Sequence, residues 1–325
     1  MSGTEGHSGM AWRLPFLTRM LSWFLAVTAV LVIGGCGASD GGPGSTAAAS
    51  GPPAGSTLNV VATNSVLADL VAQVGGDRVS VTSLVPRGTD PHAFEPRPSD
   101  AARLTRADLV VMNGLGLDDW LDRLIESSGT QAPVVRLGED LAGVEYLAGE
   151  DPAHPNPHLW LDVSIAARYA GRIADALAEV APSGAQAFES GSRAYAARLT
   201  QLDSWIREQI ATVPQASRKL VLFHDAFPYF ARAYGLEVVG SVVKAPGQDP
   251  SAGEMAALVD AIRASGAKAV FSEAQFPASL VRRLAEEAGA SVVTDLYTDA
   301  LGEPPLDTYE AMMRHDVERI VEALR

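Results

Sequence analysis

The stretch Gly184–Thr212, GAQAFESGSRAYAARLTQLDSWIREQIAT, runs for nearly thirty residues without a proline. Pro182 precedes it and Pro214 follows it. Phe188, Tyr195, Leu199, Leu202, Ile206 and Ile210 recur in it at three- and four-residue spacing among many charges. That is the pattern of one helix with one apolar stripe. At about 1.5 Å per residue it spans about 40 Å, more than one small domain needs. A rod of this length at mid-chain predicts two lobes with a helix joining them.

The segments on either side carry the same alternation. Candidate strands before the rod are Asn59–Ala62, Val79–Val85, Leu109–Met112 and Val134–Leu137. After it come Leu220–Phe223, Glu237–Val243, Ala269–Phe271 and Val292–Val293. Helical segments are expected at Val66–Val74, Ser99–Arg106, Leu117–Ser127, Ser164–Val180, Met255–Ala264 and Ala278–Glu287, with a final amphipathic helix at the carboxyl terminus. Strands that are near-continuous apolar runs, separated by helices, indicate parallel sheets covered on both faces. The expected fold class is therefore α/β: two parallel-sheet lobes joined by one long rigid helix. The expected boundaries are 58–182 for the first lobe, 183–213 for the linking helix and 214–325 for the second lobe.

The first residues predict a location. Arg13 and Arg19 precede an apolar run from Leu21 to Ile33, which ends in Gly34-Gly35-Cys36. A basic start, a short apolar run and small residues before a cleavage point make a secretory signal over 1–35. The run is too short for a membrane span of about 20 residues. Cys36 is the only cysteine. Its place just after the apolar run resembles a bacterial lipobox; the alternative is an ordinary signal peptide that contains a cysteine. With Cys36 given to lipid, the folded part has no thiol for disulfides or thiolate metal sites. Residues 36–57, rich in Gly, Ser, Ala and Pro, predict a flexible tether. Together they predict a soluble domain held outside the cell membrane by its lipid.

The chain carries 25 Lys and Arg against 39 Asp and Glu, a net charge of −14. Removing Arg13, Arg19 and Glu5 with the leader makes it −15. That balance argues against nucleic acid as a partner and suits attraction of cations.

Only six histidines are present. His92 follows a predicted strand in the proline-fixed loop Pro86–Pro96. His158 lies in Asn156-Pro157-His158-Leu159-Trp160-Leu161-Asp162, and His224 follows the strand Leu220–Phe223. Strand ends are where open α/β sheets present ligands. Three imidazoles joined by a carboxylate match the donor set of a four-coordinate zinc site. Taken singly, His92 also reads as an exposed loop residue and His158 as a half-buried one packed by Trp160. Asp162 is a candidate helix cap or an acceptor for the imidazole N–H. Asp299 and Asp295 are equal candidates for the carboxylate, each with a turn or cap role as the bland reading. His154, between Pro155 and the acidic Gly149–Asp151 stretch, is expected to be solvated, and His315 to lie on a helix surface.

Five motifs carry a resemblance that covers nearly the whole chain after the leader. They are Thr89-Asp90-Pro91-His92-Ala93-Phe94-Glu95-Pro96, Asn113-Gly114-Leu115-Gly116-Leu117-Asp118-Asp119-Trp120-Leu121, Asn156–Asp162, His224-Asp225-Ala226-Phe227-Pro228-Tyr229-Phe230 and Tyr297-Thr298-Asp299-Ala300-Leu301-Gly302. In this order they resemble the metal-binding lipoproteins that serve ABC importers of zinc and manganese. The resemblance implies a metal between two lobes, with His92 and His158 from the first lobe and His224 and Asp299 from the second. It also implies that Glu273 lines the cleft, and Glu95 and Asp162 are placed beside it. The expected partners are a permease and its ATPase, and the expected state is a monomer.

Histidine at position 224 resembles the zinc binders of this family, whereas glutamate there resembles manganese binders. Imidazole nitrogen also suits Zn²⁺, and Zn²⁺ stands above Mn²⁺ in the Irving–Williams order. Zinc is the expected cargo, with manganese or iron as the alternative. A long His-rich capture loop is missing between the first two histidines. A secreted zinc hydrolase fits less well, because four protein ligands leave no open position for water and no His-Glu-x-x-His helix is present. Asn113-Gly114-Leu115-Gly116 lacks the third glycine of a dinucleotide loop. A role in cell adhesion, described for some relatives, has no signature that sequence separates from metal receipt.

Overall fold

The computed structural model describes residues 57–149, 153–243 and 247–325. The signal segment, Cys36 and the tether up to residue 56 lie outside the described residues.

Two four-stranded sheets form, each wholly parallel and each in the same spatial order. The first holds β1 (Leu58–Ala62), β2 (Val79–Ser83), β3 (Leu109–Met112) and β4 (Val134–Arg136), in the order β2-β1-β3-β4. The second holds β5 (Lys219–Leu222), β6 (Glu237–Ser241), β7 (Ala269–Glu273) and β8 (Ser291–Leu296), in the order β6-β5-β7-β8. In this order the chain reverses direction beside the central strands, and a crevice opens at their carboxyl ends. The central strands are legible as apolar runs because a parallel strand inside the sheet buries both faces: β3 and β7 are buried at every position, whereas the edge strand β2 is half-buried and exposed in alternation.

Three differences from expectation have local causes. β7 runs two residues further, through Ser272 and Glu273, both buried, so its polar end is strand rather than loop. The helix expected from Leu117 starts at Trp120 (α3, Trp120–Ser128). Gly114, Leu115 and Gly116 all have positive φ there, and buried Asp118 accepts hydrogen bonds from the Asn113 and Gly114 N–H groups and the Thr63 hydroxyl. That loop is knotted around a carboxylate and cannot begin a helix. A short helix that periodicity did not reveal, α6 (Pro228–Tyr234), opens with proline at its first position and stops at left-handed Gly235.

The long helix is α5 (Ala185–Ala211), 27 residues. Its six predicted stripe residues are the six that are buried. It packs along α4 (Val163–Val180), α1 (Ser65–Gly75) and α9 (Tyr309–Leu324), so that a helix from within the first sheet, the helix after it and the helix after the second sheet meet on one rod. Gly191 makes this possible: a Cβ there would lie 2.2 Å from the Val74 carbonyl oxygen of α1. Among the described residues no helix is long and apolar enough to cross a membrane.

Candidate metal centre

The loops after β2, β5 and β8, together with the turn before α4, bring four side chains to one point. His92, His158, His224 and Asp299 each offer a donor atom, all within 4.8 Å of one another. The Nε2 atom of His158 is central. It lies 3.2 Å from His92 Nε2, 3.4 Å from His224 Nε2 and 3.2 Å from Asp299 Oδ1. Asp299 Oδ2 is 3.3 Å from His224 Nε2. His158, His224 and Asp299 are buried, and His92 is the half-buried member at the mouth.

Two of the imidazoles have a partner at Nδ1, and His92 is held through its backbone. His158 Nδ1 lies 3.0 Å from the Asn156 side-chain oxygen, while the Asn156 amide nitrogen donates to the Asp225 carbonyl at 2.7 Å. An acceptor at Nδ1 assigns the proton there and leaves Nε2 as a bare lone pair. His224 Nδ1 lies 2.8 Å from Glu273 Oε1, a charge contact without hydrogen-bond geometry. His92 donates its backbone N–H to Asp90 Oδ1 at 2.9 Å, and Trp120 Nε1 donates to the Pro91 carbonyl at 3.0 Å. Asp299 Oδ2 accepts the Thr298 hydroxyl at 2.9 Å, whereas Oδ1 finds no donor with hydrogen-bond geometry among the described residues.

The arrangement therefore crowds lone pairs together in a buried place. Two carboxylates, Asp299 and Glu273, are 0% and 2% exposed, a costly burial unless positive charge answers it. With protons alone the answer is partial. Burial pushes the His224 imidazole down, but the Glu273 and Asp299 carboxylates outweigh it and hold it well above its ordinary value. Burial raises Asp299, yet the His158 and His224 imidazoles win and hold it well below the usual carboxylate range. His92 is pushed down to about 3 by burial, which with the two neighbouring histidines outweighs the opposing pull of Asp299. Asp90 is pushed up to about 6 by burial and by the negative charge of Asp299. A tetrahedral ion with bonds of about 2.0–2.1 Å sets its donors about 3.3–3.4 Å apart. The separations around His158 have that size.

The other expected residues are distributed as follows. Glu273 ends β7 and contacts His224. Asp162 caps α4 through the Ser164 N–H at 2.9 Å; the acceptor for His158 is Asn156 instead. Glu95 is exposed and lines a groove with Phe94, Pro96 and Trp120. Asp295 turns away to a bidentate pair with Arg319 of α9. His154 is not in the cluster and lies 3.9 Å from Asp119 Oδ2. His315 is half-buried rather than a surface residue, 2.8 Å from the Asp295 carbonyl. Sequence reasoning passed over Asn156 and over Phe276, whose ring stands edge-on to His224 at 5.5 Å. Asn156 had one signal, its place two residues before a histidine. Phe276 had none.

Comparisons with known proteins agree on the family and the fold. The profile of the family described as zinc-uptake complex component A, periplasmic, matches residues 60–323. The manganese-binding lipoprotein MntA of Halalkalibacterium halodurans is 33% identical over 303 residues, covering 93% of this chain and 97% of that protein. The iron ABC transporter substrate-binding lipoprotein MtsA of Streptococcus pyogenes serotype M1 is 27% identical over 275 residues, 82% of this chain and 89% of the relative. Among solved structures, the periplasmic zinc binding protein TroA from Treponema pallidum aligns with a TM-score of 0.76 at 29% identity, over 82% of this chain and 99% of that one. Fold and relatives define the class: an extracytoplasmic substrate-binding component of a metal ABC transporter. The chain belongs to the family of zinc-uptake complex component A.

Proposed function

We propose that the protein captures a divalent transition-metal ion at His92, His158, His224 and Asp299 and hands it to a membrane permease driven by an ATPase. The observation that carries this reading is the convergence of three imidazole Nε2 atoms and a carboxylate on one buried point. A divalent cation there balances the charge of Asp299 and Glu273, which one proton on His224 does not. Ligands from loops of both sheets tie the lobes together, so the ion binds the closed arrangement better than an open one. Capture and release, not catalysis, is the chemistry that four protein donors around one ion support.

Zinc is proposed as the ion held most tightly, since three nitrogens and a carboxylate favour it and the separations around His158 are tetrahedral in size. Manganese is the second reading. Two observations favour it: MntA carries manganese in its name, and Asp299 turns both oxygens toward histidine nitrogens, which allows a fifth donor. Competitive binding of Zn²⁺ and Mn²⁺ to the wild type and to His224→Glu tests the choice. Zinc is expected to win on the wild type, and the margin to shrink on the variant. A wild type that prefers manganese overturns the zinc reading.

The location is proposed from the leader: residues 1–35 removed as a signal, Cys36 lipidated, and the segment to residue 57 acting as tether for a monomeric receptor. Labelling with a fatty-acid probe, abolished by Cys36→Ser, tests the anchor. Growth under metal depletion, measured beside attachment to surfaces in a deletion strain, separates metal receipt from adhesion.

A further inference from the structure

His158 is flanked in sequence by two residues that reach across to the loops bearing the other lobe's ligands. Two positions before it, Asn156 uses both ends of its amide. The oxygen accepts from His158 Nδ1 and from the His158 backbone N–H, and the nitrogen donates to the carbonyl of Asp225, the residue after His224. Two positions after it, buried Trp160 lies with its ring 5.4 Å from that of His158. Its indole N–H donates at 2.8 Å to the carbonyl of Thr298, the residue before Asp299. The segment itself is held: Asn113 Nδ2 donates to the Pro157 carbonyl, and the Tyr309 hydroxyl of α9 donates to the Trp160 carbonyl. These bonds join residues 69 and 138 positions apart, from the segment before α4 to the loops after β5 and β8.

We infer that Asn156 and Trp160 are positioning residues that set the register of His224 and Asp299 against His158 and thereby slow release of the ion. The inference rests on the metal site proposed above. The two flanking bonds hold the loops that bear His224 and Asp299 against the His158 segment in the closed arrangement. Each hydrogen bond contributes about 0.5–1.5 kcal/mol, a several-fold effect on an equilibrium. The cost of breaking one appears in dissociation rather than association, because the bonds form in the closed state.

The test is chelator-triggered Zn²⁺ release followed by stopped flow, on the full chain. Trp160→Phe keeps the ring and removes the N–H. Asn156→Asp keeps the acceptor for His158 and removes the donor to Asp225. Each is expected to speed release roughly five- to tenfold with little change in the association rate. Ile206→Val, a core change on α5 remote from the cluster, serves as control for general loosening and is expected to release at the wild-type rate. Unchanged release in both Trp160→Phe and Asn156→Asp overturns the inference, and so does equal acceleration by Ile206→Val. His224→Ala and Asp299→Ala run alongside: if they hold zinc like the wild type, the site itself is misplaced. If they lose zinc while the two positioning variants release normally, only the positioning role fails.

Discussion

At the scale of residues, the centre is a competition between one metal ion and one proton. His224 is held well above its ordinary imidazole value by Glu273 and Asp299, so the metal-free cluster keeps a proton that coordination must expel. His92, at about 3, is already neutral and gives up nothing. The sign for the metal-free protein follows from linkage. A raised imidazole stabilises the fold below its unfolded value of about 6.5 and loses that contribution as pH climbs through the folded value. Asp299, depressed, stabilises above about 3.9 and loses its contribution as pH falls through the folded value. Zinc affinity is therefore expected to drop by about tenfold to a hundredfold from pH 7.5 to 5.5, since one displaced proton gives at most about tenfold per pH unit; titration calorimetry in two buffers reads both affinity and proton release. A flat profile contradicts a proton on His224. Replacing Asp299 by Ala removes the anionic donor and leaves three neutral imidazoles, with binding weaker by roughly two orders of magnitude or more, judged from the cost of a buried charge losing its partner.

At the scale of elements, the strand ends supply ligands and the helices hold the strand ends still. β5 delivers His224 directly, β7 delivers Glu273, and the loop after β8 delivers Asp299. Asp316 of α9, buried, accepts the Tyr297 N–H at 3.0 Å and so ties that last loop to the helix. The close approach of α5 and α1 at Gly191 makes a sharp prediction. Alanine is the better helix former by about 1 kcal/mol, yet its Cβ meets the Val74 carbonyl at 2.2 Å, a backbone atom unable to step aside. Overpacking of this kind costs about 1–3 kcal/mol, so Gly191→Ala is expected to lower the denaturant midpoint. A raised midpoint shows the two helices able to separate without penalty.

At the scale of the molecule, two similar sheets stand on one rod, and the loops at their strand ends meet in one cluster of donors. Leu301, beyond Asp299, donates its N–H at 2.8 Å to the Ser65 hydroxyl at the start of α1, across 236 positions. Saturating metal is expected to slow hydrogen exchange at this amide and to raise stability by about 2.7 kcal/mol at a hundredfold excess over Kd. Exchange at Leu301 indifferent to metal argues that the ion does not tie the lobes. The architecture was legible from the chain alone. The central strands β3 and β7 were legible because a strand buried on both faces shows its burial in composition, the edge strands through their β-branched residues, and the stripe of α5 showed through because a helix repeats its buried side every three or four positions. His92, His158 and His224 were legible as strand-end or proline-fixed polar residues, but Asp299 stood out from Asp295 only through the motif around it. What the tertiary structure decided is which groups meet: Asp295 to Arg319, Asp162 to a helix cap, Asn156 to two loops at once, Trp160 to the carbonyl before Asp299. Periodicity is a property of one segment and survives in the sequence. A hydrogen bond across 138 positions depends on how two sheets are set against a common helix, and no local pattern carries that.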